Sequence, residues 1–198
     1  MNDPSVKEFG ELLKEIRACK HCEKHLPLGP RPVVSGTPAS RIVIIGQAPG
    51  TVVHKSGIPW DDASGRRLRD WMGIEDEQFY DSSKIAIVPM GFCYPGKGKS
   101  GDLPPRPECA PLWHEALMQR MPDLKLTLLI GQYAQKYYLG KSRKKNLTET
   151  VQHFEEYLPS IFPIVHPSPR NGIWLRKHPW FEESVVPVLK EKVREVLK

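Results

Sequence analysis

Four short apolar runs, at residues 41–45, 85–88, 125–130 and 161–165, constrain this chain more than any other feature. The first, Ile42-Val43-Ile44-Ile45, has no polar alternation and is β-branched throughout. Such a run reads as a strand covered on both faces, the kind that parallel sheets contain. Between the runs lie segments with helical spacing, at 66–72, 108–121 and 132–139, and an amphipathic stretch at 147–158. Strands alternating with helices imply right-handed βαβ crossovers. The expected fold is therefore α/β: a three-layer α/β/α sandwich around a mainly parallel four-stranded sheet. The 198 residues suffice for one domain with a sizeable core, spanning 1–198. Two further helices are expected at the ends. One covers 6–16, with Phe9, Leu12, Leu13 and Ile16 on one face. The other covers about 178–197, where Pro187 kinks the helix or marks its first turn.

In open α/β sheets ligands bind outside the carboxyl ends of the strands. The first strand runs directly into Gly46-Gln47-Ala48-Pro49-Gly50, whose glycines let backbone approach a ligand closely. A loop is expected over 51–59, followed by Trp60-Asp61-Asp62-Ala63-Ser64-Gly65. Trp60 offers a flat face for stacking a base. Asp61 and Asp62 precede a helix, where a carboxylate is held ionised and where capping is the simpler role. Ser64 is a candidate cap for the helix at 66–72, and Arg66, Arg67 and Arg69 read as its solvated face. The last strand ends in His166-Pro167-Ser168-Pro169-Arg170-Asn171. Two prolines stiffen that loop and hold His166 at the mouth of the sheet beside Arg170.

All four cysteines fall into one pattern. Cys19 and Cys22 form a C-x-x-C pair after the first helix, while Cys93 and Cys109 bracket a loop rich in glycine and proline. Such a loop has no packing of its own and needs an anchor. A shared centre of four thiolates would provide one, with zinc and an iron–sulfur cluster both compatible with sulfur ligands. Residues 1–13 are polar and acidic, unlike an export signal, so metal ligation is expected over disulfides and the location is expected to be cytoplasmic. No apolar run approaches the roughly 20 residues of a membrane span. Lysine plus arginine number 29 against 23 acidic residues, a net charge of +6 that favours an anionic partner. The basic stretch Lys141-Ser142-Arg143-Lys144-Lys145 is either a phosphate contact or an ordinary exposed loop.

Residues 46–50 and 166–171 together resemble the two signature motifs of the uracil-DNA glycosylase superfamily, in order and in placement at the ends of the first and last strands. The cysteine pattern is similar to the iron–sulfur branches, families four and five, including Pro104-Pro105-Arg106-Pro107-Glu108 before Cys109. Asp62-Ala63-Ser64-Gly65 and the asparagine-ending second motif look most like family five. The resemblance runs from Cys19 to about Arg176 and implies a monomeric DNA base-excision repair enzyme. Such an enzyme flips a nucleotide out of DNA and hydrolyses the N-glycosidic bond of uracil or another deaminated base. It implies catalytic roles for Asp62 and His166 and a stacking role for Trp60. Gly46, Gln47, Ala48, Pro49 and Gly50 would line the base and phosphate, and Ser168, Arg170 and Asn171 would belong to the DNA-binding set. It also implies a [4Fe–4S] cluster on Cys19, Cys22, Cys93 and Cys109, with zinc as the alternative.

The chain departs from the families it resembles in two places. Family four carries glutamate at the position of Gln47, and family one carries aspartate at the position of Ala48. Family four also carries a uracil-reading asparagine where this chain has Pro89. The resemblance therefore lays catalysis on Asp62. Two other classes compete with a glycosylase: a non-catalytic DNA-binding or lesion-sensing relative, and a hydrolase or binder of free nucleotides. Surface arginines and lysines argue against the last.

Overall fold

The computed structural model describes residues 4–198. Its centre is a four-stranded, wholly parallel sheet of β1 (Ile42–Ile45), β2 (Ile85–Ile87), β3 (Leu126–Ile130) and β4 (Ile161–Ile164), in the order β2-β1-β3-β4. Successive side chains of a strand point to opposite faces. Ile42, Ile44, Ile85, Ile87, Leu126, Leu128, Phe162 and Ile164 accordingly join one core. Val43, Ile45, Ala86, Val88 and Leu129 join the other. Because both faces are covered, the strands lack a polar side.

The helices form two layers. α1 (Pro4–Arg17), α5 (Cys109–Gln119) and α6 (Gly131–Leu139) cover the second face, with Phe9, Leu12, Leu13 and Ile16 buried as expected. Against the first face pack α3 (Ala63–Met72) and α9 (Val186–Leu197), joined by residues of the short helices between them. The three-layer α/β/α sandwich is as anticipated. Among the described residues no helix is long and apolar enough to cross a membrane.

Several local expectations are corrected. The segment after the glycine turn is not a loop: it contains α2 (Thr51–Ser56), which opens at Gly50 and closes at Gly57. Gly57 sits at φ 76, a left-handed stop that ends the helix at low cost. The cap of α3 is Asp62, not Ser64; its Oδ1 accepts from Gly65 N–H at 2.8 Å. A short α4 (Asp76–Tyr80) follows unannounced. The 147–158 stretch divides into α7 (Leu147–Gln152) and a 3-10 turn at Phe154–Tyr157. The last helix is interrupted as well. α8 (Gly172–Lys177) precedes a π-helical turn at Phe181–Val185, and Pro187 lies in the first turn of α9, where its missing N–H costs nothing.

A buried histidine braces the exit of β2. His114 on α5 is 2% exposed and lies between the Pro89 carbonyl and the Tyr138 hydroxyl. Pro89 O can only accept, so Nε2–H donates to it at 3.0 Å and Nδ1 accepts from Tyr138 at 2.6 Å. Burial pushes this imidazole down to about 4. In the unfolded chain it titrates near 6.5. Between those values the unfolded state binds a proton that the folded state refuses, so stability falls as pH falls. The loss should reach about 3 kcal/mol near pH 4. Denaturant midpoints measured from pH 7 to 4 should show this acid slope, and His114→Gln should flatten it. An unchanged slope in that variant would assign it to other groups, among them His54 and His166, which burial also holds down.

Candidate active site

The first strand, β1, lies inside the sheet and delivers residues 46–50 to its carboxyl edge. The exit of β2 is stitched to this turn by Met90 N–H to Gly46 O, 2.8 Å, and Gly91 N–H to Gln47 O, 3.0 Å. A cleft of about 800 Å³ opens above it. Gly46, Gln47, Ala48, Pro49, Gly50, Trp60, Asp62, His166, Ser168, Arg170 and Asn171 all line that one cleft. Every residue expected at the base or DNA is therefore brought together, although β4 is not a neighbour of β1. β3 stands between them, and the loop after β4 reaches back across its end.

Trp60 organises the floor. Its ring meets that of His166 with centroids 5.6 Å apart and a tilt of 34°. The indole lies so close to the strand end that a Cβ on Gly46 would be 2.9 Å from Trp60 Cζ2. Trp60 itself has φ 58, a left-handed conformation that costs a bulky residue energy. The surrounding contacts hold it there. Its carbonyl accepts from Arg69 Nη1 at 3.4 Å, and Gly65 packs directly against the same carbonyl. Arg69 is not part of a solvated face: it is buried, pairs with Asp76 and lies over the rings of Phe79 and Tyr80. Arg67 reaches the second loop, with Nη1 donating to Ser168 O at 3.3 Å.

His166 is held in a defined tautomer. Ser168 N–H donates to Nδ1 at 3.2 Å, so that nitrogen accepts and the neutral ring carries its proton on Nε2. Burial holds the ring below the ordinary imidazole range, while the Asp62 charge pulls it the other way. The ring that lines the cleft therefore carries a neutral Nε2–H donor. Asn171 braces the same loop, with Nδ2 donating to His166 O at 2.7 Å. The expected role of Asn171 at the DNA is thus joined by a local one.

The cysteine-flanked loop contributes residues for which the sequence held no signal. It folds over the cleft and is tied to both motifs, through Gln47 Nε2–H to Leu103 O at 3.0 Å and Arg170 Nη1 to Ser100 O at 3.4 Å. It brings Ser100, Gly101 and Asp102 into the cleft wall, and Gln132 enters from the start of α6. The basic stretch at 141–145 does not line the cleft, and Lys144 pairs with Glu156.

The four cysteines line a second, largely apolar cavity together with Gly91, Phe92, Arg106 and Trp113. It shares no lining residue with the cleft. Phe92 N–H donates to Cys109 Sγ at 3.5 Å, and Cys22 Sγ donates to Glu108 at 3.8 Å. Burial raises the thiols, Cys93 to about 11 and Cys109 to about 12, so a cation would be needed to hold them as thiolates. Four sulfur donors and a backbone N–H aimed at one of them suit a thiophilic centre. Among the described residues, no three donors stand as a ligand group for a single metal ion.

Comparison with known proteins identifies the family. The family model of the uracil DNA glycosylase superfamily matches residues 33–190. A type-4 uracil-DNA glycosylase of Sulfurisphaera tokodaii is 23% identical over 169 residues, covering 80% of this chain and 73% of that protein.

Proposed function

The chain belongs to the uracil-DNA glycosylase superfamily, and from that premise we propose that it is a base-excision repair glycosylase acting on uracil or another deaminated base in DNA. The observation that carries this reading is the convergence of residues 46–50, Trp60, Asp62 and residues 166–171 on one cleft. A flipped base would stack on Trp60 over Gly46. As the C1′–N bond lengthens, positive charge grows on the sugar and negative charge on the base. Asp62, fixed by its cap bond, would face the positive charge, and His166 Nε2–H would donate to the base oxygen. A neutral donor serves here because it need not lose a proton to a leaving anion. Arg170 and Ser168 would contact the DNA backbone.

Cys19, Cys22, Cys93 and Cys109 are the proposed ligands of a [4Fe–4S] cluster, with zinc as the alternative. Such a centre would supply a fixed tie between the end of α1, the exit of β2 and the start of α5. Protein purified without oxygen should be brown, with broad absorbance in the visible blue. Colourless protein carrying one zinc per chain would assign zinc, and protein that binds neither would remove the centre.

A non-catalytic, lesion-sensing relative is the second reading. The uncharged Gln47 and Ala48 favour it, as does the cap bond that engages one oxygen of Asp62. Oligonucleotides carrying uracil, hypoxanthine or xanthine, single- and double-stranded, separate the two. Release of a base leaving an alkali-labile site supports the glycosylase, while tight binding of a lesion without release supports the sensor.

A further inference from the structure

The carboxylate that the first motif lacks is present in the cleft, on another element. We infer that Asp102, carried in by the loop between Cys93 and Cys109, is a second catalytic carboxylate, positioned to take the proton of the attacking water. This rests on the glycosylase reading above. Gln47 and Ala48 leave the turn at 46–50 uncharged. Asp102 Oδ2 stands 3.5 Å from where a Cβ on Gly50 would be, directly over the end of that turn. The loop that places it is tied at two points, Leu103 to Gln47 and Ser100 to Arg170, and pairs with itself through Lys97 and Asp102. Its carboxylate is also close enough to Asp62 for the two charges to interact.

Two carboxylates about a glycosidic carbon divide the work when one stabilises the cation and the other handles water. Asp62 is spent in part on Gly65 N–H, which fixes it but removes one oxygen from proton transfer. Asp102 has no such tie to a helix end. Desolvation by the cleft raises its pKa, Asp62 raises it further, and Arg170 and Lys97 pull it down. A more basic carboxylate is the better proton acceptor. In the step itself the C1′–N bond breaks, with its electron pair leaving on the base. A water oxygen forms the new bond to C1′, the water's proton passes to Asp102, and the base anion takes a proton from solvent. Asp102 is exposed in the free protein, where bound DNA would cover it.

The test compares the parent protein with Asp102→Asn in two assays. In single-turnover cleavage of a lesion-bearing duplex at saturating protein, the variant should be slower by about 10² or more. The acid limb of the parent's pH–rate profile should lie above the ordinary aspartate range and disappear in the variant. In binding, DNA with a protonated pyrrolidine in place of the target sugar is compared with DNA holding a neutral tetrahydrofuran. The parent should prefer the cationic analogue, and Asp102→Asn should lose roughly tenfold of that preference without weaker binding to the neutral one. Parental cleavage by the variant overturns the inference. So does equal weakening of both analogues, which would mean that Asp102 only shapes its loop. If the parent cleaves no lesion, the glycosylase reading fails by itself. The analogue pair then decides alone, and a preference unchanged in Asp102→Asn overturns the placement of its charge at C1′.

Discussion

Asp62→Asn should slow single-turnover cleavage of a damaged oligonucleotide by roughly 10²–10³-fold, the usual cost of one preorganised electrostatic group. The structure makes this substitution unusually clean. Asp62 Oδ1 accepts from Gly65 N–H as the cap of α3, and asparagine keeps an oxygen in that place. Asparagine and aspartate are near equals as caps, so the melting temperature should hardly move. Any lost rate then reports the missing charge and not a loosened helix. His166→Ala should cost a similar factor, because it removes the Nε2–H donor and the ring that packs on Trp60. Gln47→Ala should cost less, since its amide is occupied by the Leu103 carbonyl. Undiminished cleavage by Asp62→Asn would sink the assignment of that residue.

The second large effect belongs to a residue with no chemistry of its own. An added Cβ on Gly65 would lie 1.7 Å from the Trp60 carbonyl oxygen and 2.8 Å from the Trp60 Cβ. The first obstacle is backbone, so no side-chain rotation relieves it. Residues 60–62 must move, and three contacts go with them: Arg69 to the Trp60 carbonyl, the indole over Gly46, and the cap bond of Asp62. Gly65→Ala should therefore cost about 1–3 kcal/mol of stability, the range for overpacked sites. Cleavage should fall by roughly 10²-fold or more, since a 1 Å misplacement of the groups at a reacting centre costs about that much. Gly10→Ala is the internal control. It sits in α1 with nothing within 4 Å of its Cβ position, so it should stabilise by roughly 0.5–1 kcal/mol. Thermal melts and single-turnover rates on the pair would settle it. A Gly65→Ala protein with parental rate and stability would show that the 60–62 segment yields freely.

Local signals reached far into this site for a reason rooted in the fold. Parallel strands buried on both faces must be apolar without interruption, so Ile42–Ile45 could be read directly. The turn after β1 and the proline-braced loop after β4 follow such runs, and their residues are local in sequence. Helix boundaries were less legible where glycine or a cap decided them. Thr51–Ser56 opens on three β-branched residues, Thr51, Val52 and Val53, and looks like a loop until Gly57 is seen to close it. Ser64 and Asp62 are both chemically fit to cap, and the choice of Asp62 follows from the close packing of Gly65 on Trp60.

From its residues alone, the chain determined an α/β sandwich, the two loops that carry the site chemistry, and the four thiols as a set. These are properties of short stretches, fixed by side-chain period, by proline and glycine, and by residue type. The tertiary structure decided which distant groups share a space. It set Trp60 against His166, distant in the sequence, buried Arg69 beneath the tryptophan's carbonyl, and swung the cysteine-flanked loop over the glycine turn with Asp102 aboard. Nothing near Asp102 in the sequence points to the cleft. Its position is the outcome of where β2 ends, where α5 begins and how far the glycine- and proline-rich loop between them can reach, a balance of chain geometry and packing that no local pattern encodes.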